Sequence, residues 1–187
     1  MDKQTLKIFF KPLTLINKVS IKDKNLVFFY SNLGFRDNVK ALYDYMILHN
    51  LNKRYKIVLS LNDPGEVKKI PEGVTVVNNN EGIKYFLKAK YVFFCFGKYP
   101  IKPSDNQIVV NLWHGIPLKR LGNTERGKEK TDYNFFTYLL TCSEYYRQIM
   151  KDCFGCLDNQ ILICGQPRCD RLFMNLQIGR ASCRERV

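Results

Sequence analysis

Seven short runs of mostly apolar residues recur along the chain, and they constrain its fold more than any other feature. They cover residues 25–30, 56–61, 74–77, 91–96, 107–112, 138–142 and 160–164. Several runs are apolar at consecutive positions, which is typical of strands buried on both faces of a parallel sheet. Segments with apolar residues at helical spacing, such as 38–47 and 81–90, separate several of the runs. The pattern predicts an α/β fold: a Rossmann-like parallel sheet with flanking helices and right-handed crossovers.

The most distinctive residues follow the fifth predicted strand. Trp113 is the only tryptophan, and His114 is one of two histidines. Gly115 permits close approach of backbone or ligand, and Pro117 prevents the strand from continuing. An imidazole at the edge of an open sheet suits proton transfer near neutral pH. A histidine packed at a strand end beneath Trp113, without a catalytic role, fits these residues equally well. The second histidine, His49, is predicted to be structural.

Several charged residues also follow predicted strands. Arg36 lies in a strand-to-helix turn, where backbone amides favour anion binding, although an ordinary surface turn fits as well. Lys119 and Arg120 either steer phosphates or form a solvated loop face. Arg168 follows a Gly-x-Pro turn and has the geometry to clamp a phosphate. Asp170 is predicted to cap the next helix, to orient Arg168, or to form an internal ion pair with it.

Two of these stretches resemble motifs of one protein family. Residues 113–119, Trp-His-Gly-Ile-Pro-Leu-Lys, resemble the WHGTPLK-type motif of the CDP-glycerol glycerophosphotransferases, the teichoic acid primases and polymerases. Residues 165–170, Gly-Gln-Pro-Arg-Cys-Asp, resemble the G-x-P-R-x-D motif of that family. The two motifs occur in the family's order, about fifty residues apart, and the resemblance covers roughly residues 25–176. The departures are Ile116, where threonine is usual, and Cys169, where asparagine is common.

The resemblance implies the amino-terminal half of a GT-B type transferase. In that family a hydroxyl of the acceptor attacks the β-phosphorus of CDP-glycerol, and CMP leaves. The acceptor is expected to be a lipid-linked poly(glycerol phosphate)-type polymer of cell-wall or capsular origin. His114 is the expected general base, and Trp113, Gly115, Arg168 and Asp170 are expected near the substrates. No cofactor is implied, and metal dependence stays open. Another CDP-polyol, such as CDP-ribitol, is an alternative donor.

The net charge of +13 implies an anionic partner. Residues 1–24 interleave lysines with apolar residues and form a predicted basic amphipathic extension. It either lies on an anionic membrane surface or caps the edge of the domain, and Pro12 is expected to interrupt any long helix there. A basic nucleic-acid-binding module is the alternative from a different class. We expect no nucleic-acid partner, because the aromatic residues lie in the buried runs and no recognition signature appears.

The ends of the sequence differ in character from residues 25–177, which form the predicted acceptor-side domain. The start has no signal-peptide pattern, so we expect a cytoplasmic protein at the inner face of the membrane. Residues 178–187 match the conceptual translation of a common sequencing adapter, and we set them aside as an artefact. The chain is therefore expected to be an inactive fragment that lacks a carboxy-terminal nucleotide-binding domain.

Four cysteines near the second motif raise the question of a metal site. Their spacing fits no standard zinc knuckle, so buried reduced thiols are the predicted state and no metal site is expected. They are Cys153, Cys156, Cys164 and Cys169.

Overall fold

Seven parallel strands form one sheet in the computed structural model, which describes residues 3–173 and the side chains from residue 10 onwards. The strands are β1 (Asp23–Ser31), β2 (Lys56–Leu61), β3 (Val74–Asn78), β4 (Ala89–Phe94), β5 (Ile108–Asn111), β6 (Tyr138–Thr141) and β7 (Ile161–Ile163). The helices are α1 (Lys3–Val19), α2 (Asp37–Leu48), α3 (Asn79–Lys88) and α4 (Glu144–Phe154). The predicted α/β fold with a parallel sheet is confirmed.

The order of the strands across the sheet determines where a ligand crevice forms. The order is β3-β2-β1-β4-β5-β6-β7. The chain therefore builds outward in one direction from β1 to β3 and then in the other from β4 to β7. Open α/β sheets bind ligands outside the carboxyl ends of the strands, near the point where the direction reverses. Here that point lies between β1 and β4, and β5 is the next strand along.

Burial on both faces of β1 explains its unbroken apolar run. The neighbouring side chains Phe28 and Phe29 are both fully buried. Phe28 packs edge-to-face on Phe86 of α3, in one core cluster. Phe29 packs edge-to-face on Tyr43 of α2, in a second cluster. Because successive strand residues point to opposite faces, helices must cover both sides of the sheet.

The expected interruption of the first helix at Pro12 is wrong. α1 is one continuous helix of 17 residues with Pro12 inside it. Its residues Phe10 and Leu13 pack against the core, and Asn17 is fully buried. The Asn17 amide donates hydrogen bonds to the carbonyl of Lys102 and to a side-chain oxygen near the start of β5. This docking offsets the backbone hydrogen bond that proline cannot make.

The length and polarity of the helices bear on membrane insertion. Within residues 3–173, no helix is long and apolar enough to cross a membrane.

Candidate functional site

The chain turns sharply at the end of β5, directly before His114. The Asn111 side chain accepts a hydrogen bond of 3.0 Å from the backbone amide of Trp113. Trp113 adopts a left-handed conformation, with φ of 52°. This conformation costs a non-glycine residue about 1–3 kcal/mol, and such strain is concentrated at functional sites. The strain marks the Trp113–His114 corner as a position that the surrounding structure holds in place.

His114 lies half-buried between aromatic rings at the carboxyl edge of the sheet. Its imidazole stacks on Phe96, just beyond β4, with ring centroids 4.9 Å apart. The Trp113 ring lies 4.1 Å from it on a tilted plane. Burial lowers the pKa of His114; Asp37 opposes this effect and Arg168 adds to it. The lowered pKa keeps the imidazole neutral near pH 7, which is the form that accepts a proton.

Arg168 is paired with Asp37 and not with Asp170. The guanidinium donates a hydrogen bond of 2.7 Å to the Asp37 carboxylate, at the start of α2. A second guanidinium nitrogen lies so close to Gly115 that a Cβ there would sit 3.4 Å from it. The expected local pairing of Arg168 with Asp170 is therefore wrong, because the 3₁₀ turn Pro167–Leu172 brings Arg168 against α2. The arginine lies beside the His114 turn, and its expected role near the substrates stays a prediction.

Sequence reasoning missed the residue that connects these segments, Asn38. An asparagine at the start of a helix usually caps it, but α2 has no side-chain cap at its start. Asn38 is fully buried, and the two hydrogens of its side-chain amide are shared among three acceptors: the carbonyls of Leu112 and Trp113 and the side-chain oxygen of Gln166. Its side-chain oxygen accepts from the backbone amide of Arg168. A buried asparagine directly after a strand-to-helix turn is the only local signal for this role.

The turn after β1 brings Arg36 to the site but leaves few free amides for an anion. The Arg36 guanidinium lies 6.0 Å from the Phe96 ring, on which His114 stacks. Within the turn, the Asp37 carboxylate accepts from the amide of Asn38, and Glu66 accepts from the amide of Phe35. The carboxylates of Asp37 and Glu66 thus occupy two backbone amides that could otherwise donate to a phosphate. Any anion binding here rests on the arginine itself.

Three other predicted site residues lie at the surface. Lys119 and Arg120 are exposed on the loop beyond Gly115. The hydrogen bond from Lys128, with a smaller contribution from Lys119, lowers the pKa of Glu125 further along this loop. Asp170 is exposed as well. Arg168, by contrast, lies directly against the His114 turn at Gly115.

The cysteines are free thiols throughout residues 3–173. Cys153 and Cys156 are buried as predicted, whereas Cys164 is exposed and Cys169 half-buried. The expectation of burial was wrong for Cys164 because β7 is an edge strand with two of its three residues exposed. Across the described part of the chain, no group of three or more potential ligands is arranged to hold a metal.

The charges on Asp37 and Arg168 should shift the titration of His114 in opposite directions. Asp37→Asn removes a negative charge and is expected to lower the pKa of His114, since Asp37 favours the imidazolium. Asparagine also tolerates the positive φ at that position. Arg168→Met removes a positive charge and is expected to raise the pKa. NMR titration of the imidazole Cε1–H signals measures both shifts, and exposed His49 is the internal control. Shifts of the same sign in both variants would contradict the electrostatic interpretation.

The fold and this site together define a class of protein. A parallel sheet of strand order 3-2-1-4-5-6-7 carries a neutral histidine and a paired arginine at its carboxyl edge. Solved structures of the wall teichoic acid polymerase TagF share the fold. One covers 91% of this chain and 45% of its own length, with a TM-score of 0.70 and 26% identity. A histidine-to-asparagine variant soaked with CDPG gives a TM-score of 0.73 at 24% identity, covering 89% of this chain and 44% of its own. The chain is thus a Rossmann-like part of a GT-B-like transferase fold.

The sequence comparisons identify the family. The sequence model of one family, the CDP-glycerol:poly(glycerophosphate) glycerophosphotransferases, matches residues 12–185. The chain belongs to that family. A teichoic acid poly(glycerol phosphate) polymerase of Staphylococcus epidermidis is 28% identical over 171 residues, which are 82% of this chain and 23% of the relative. A teichoic acid glycerol-phosphate transferase of Staphylococcus aureus is 26% identical over 179 residues, 81% of this chain and 43% of the relative. The chain spans less than half the length of these relatives.

Proposed function

We propose that this chain supplies the acceptor-side wall of a glycerophosphotransferase, which moves glycerol phosphate from CDP-glycerol to a poly(glycerol phosphate)-type polymer. Family membership supports the reaction class and favours it over nucleic-acid binding. The donor is expected to bind to a further nucleotide-binding domain of a longer enzyme. The observation that carries the proposal is the neutral, half-buried His114, stacked on Phe96 and next to Arg168 at the edge of the sheet.

The proposed role of His114 is that of general base. The terminal hydroxyl of the acceptor gives its proton to the neutral imidazole while its oxygen bonds to the β-phosphorus of the donor. The bond from that phosphorus to the bridging oxygen breaks, and CMP leaves with the electron pair. Because the pKa of His114 is lowered, the unprotonated form is available near neutral pH.

The proposed role of the arginines is to bind phosphate. Arg168 is about two-fifths exposed and retains guanidinium donors beyond the one bonded to Asp37. The Arg36 guanidinium lies near the Phe96 ring, on which His114 stacks. Lys119 and Arg120, both exposed, are proposed to attract the polyanionic acceptor from further along the loop.

We also propose that α1 contacts the inner face of the cell membrane. The helix packs on the core through Phe10 and Leu13 and leaves other apolar side chains exposed, namely Leu15, Ile16 and Val19. Lys11 and Lys18 are exposed on the same helix. Exposed apolar residues beside lysines favour binding to a surface of anionic lipids.

Titration of a short synthetic poly(glycerol phosphate) into the labelled chain tests the proposed acceptor site. The expected result is a shift of the His114 and Trp113 signals, with His49 unaffected. The sequence contains one tryptophan and two histidines, so each signal is readily assigned. Poly(ribitol phosphate) and a DNA duplex of similar charge are the comparison ligands. Shifts with DNA but none with poly(glycerol phosphate), at equal salt, would overturn the proposal in favour of a nucleic-acid-binding module.

A further inference from the structure

Three separate segments meet around the carboxamide of Asn38. The first is the amino terminus of α2, on which Asn38 lies. The second is the stretch directly after β5, where the carbonyls of Leu112 and Trp113 accept from the amide at 3.1 and 3.0 Å. The third is the turn at residues 166–168, where the Gln166 side chain accepts at 2.7 Å and the Arg168 amide donates at 3.0 Å. Asn38 thus contacts both segments that carry the candidate site.

The chemistry of these contacts requires asparagine at position 38. The two backbone carbonyls can only accept and the Arg168 amide can only donate, so the orientation of the carboxamide is fixed. An aspartate would lose every donor, and an alanine would leave buried polar groups of two segments without partners. Asn38 is fully buried, so water cannot easily replace its bonds. The ion pair between Arg168 and Asp37, the residue before Asn38, lies alongside this network.

We propose that Asn38 is a positioning residue of the transferase site: its carboxamide fixes the distance between the turn that carries His114 and the turn that carries Arg168. The inference rests on the proposed function, in which the two side chains act on one substrate. A misplacement of about 1 Å between groups that act together is enough to cost about a hundredfold in rate. Asn38 itself touches no reacting atom.

A matched pair of variants separates positioning from general support of the fold. Asn38→Ala is compared with Asn17→Ala, since both asparagines are fully buried and each makes several hydrogen bonds. Asn17 holds α1 near the start of β5, away from the carboxyl edge. Both variants are expected to lower the unfolding midpoint. Only Asn38→Ala is expected to shift the Trp113 indole signal, because the Trp113 carbonyl loses its partner.

The titration of His114 gives the second measurement. In Asn38→Ala the turn loosens and water reaches the imidazole, so its pKa should rise towards the ordinary value. The substitution removes neither of the charged groups that act on His114, Asp37 and Arg168; movement of Arg168 away from the imidazole would add to the rise, because its charge lowers this pKa. Asn17→Ala should leave this pKa unchanged. Weakening of poly(glycerol phosphate) binding by about tenfold in Asn38→Ala alone would agree with the proposal.

The outcomes distinguish this inference from the proposed function. Suppose that the unsubstituted chain binds poly(glycerol phosphate). If Asn38→Ala then has the same affinity and the same His114 pKa as the unsubstituted chain, the positioning role is wrong. If the unsubstituted chain binds none, the proposed function fails, while the His114 and Trp113 shifts in the variant still test the role of Asn38. Should Asn38→Ala not fold, Asn38→Ser is measured in its place, because its hydroxyl can still donate and accept a hydrogen bond. Should neither variant fold, the exchange of the Asn38 side-chain amide protons with solvent is measured in the unsubstituted chain. Rapid exchange would refute the hydrogen-bond network, and slow exchange would support it.

Discussion

Replacing His114 by alanine is expected to lower the rate of CMP release from CDP-glycerol about a thousandfold in a full-length enzyme that carries this segment. Removing the imidazole removes the group that accepts the acceptor hydroxyl's proton. The donor and acceptor contacts made by other residues persist, so the Michaelis constants should change little. His49→Ala is the control, because His49 is exposed at the end of α2. A loss of less than tenfold in His114→Ala would contradict the role of general base.

The pH dependence of the same reaction gives an independent check on His114. Burial lowers the pKa of the imidazole, so its protonation begins at lower pH than for a free histidine. The midpoint of the decline in rate should therefore lie below the ordinary histidine value of about 6.5. Rate measurements between pH 5 and 8, with CMP release as the readout, locate this decline. A decline centred above the ordinary value would show that the base is a different group or that the imidazole is not desolvated.

The sequence predicted those features of the molecule that depend on local pattern. Consecutive apolar residues in β1 predicted a strand buried on both faces, and the structure buries Phe28 and Phe29 on opposite sides of the sheet. The position of His114 directly after a predicted strand also placed it at the carboxyl edge of the sheet. Parallel strands all end at the same edge, so a residue that follows a strand has its position set by the topology.

The contacts that build the site were not predictable in this way. Asn38 reaches the carbonyl of Leu112 across 74 positions in the sequence and the amide of Arg168 across 130. Arg168 finds its carboxylate at Asp37, 131 positions away, although Asp170 is only two residues distant. Local rules favour the nearby partner and predict that an asparagine at the start of a helix caps it. Only the packing of α2 against β5 and the 166–168 turn determines which partners meet.

Gly122→Ala is expected to reduce the free energy of unfolding by about 3 kcal/mol or more, the largest stability effect predicted for this chain. Gly122 is buried and has a φ of 57°, which costs an alanine about 1–2 kcal/mol. In addition, a methyl group there would overlap the backbone carbonyl of Cys153 in α4. Cys153 is itself buried, so neither backbone has room to withdraw without disturbing the core. Urea unfolding followed by circular dichroism measures the change.

Gly127→Ala in the same loop separates the two costs at Gly122. Gly127 also has a positive φ, of 82°, but a Cβ at that position would meet nothing within 4 Å. Its substitution is expected to cost only the backbone strain, about 1 kcal/mol. The excess at Gly122 then measures how firmly the loop that carries Lys119 and Arg120 is seated on α4. Equal losses in the two variants would mean that the loop is not held against Cys153, and that the phosphate-steering role proposed for these basic residues lacks a fixed support.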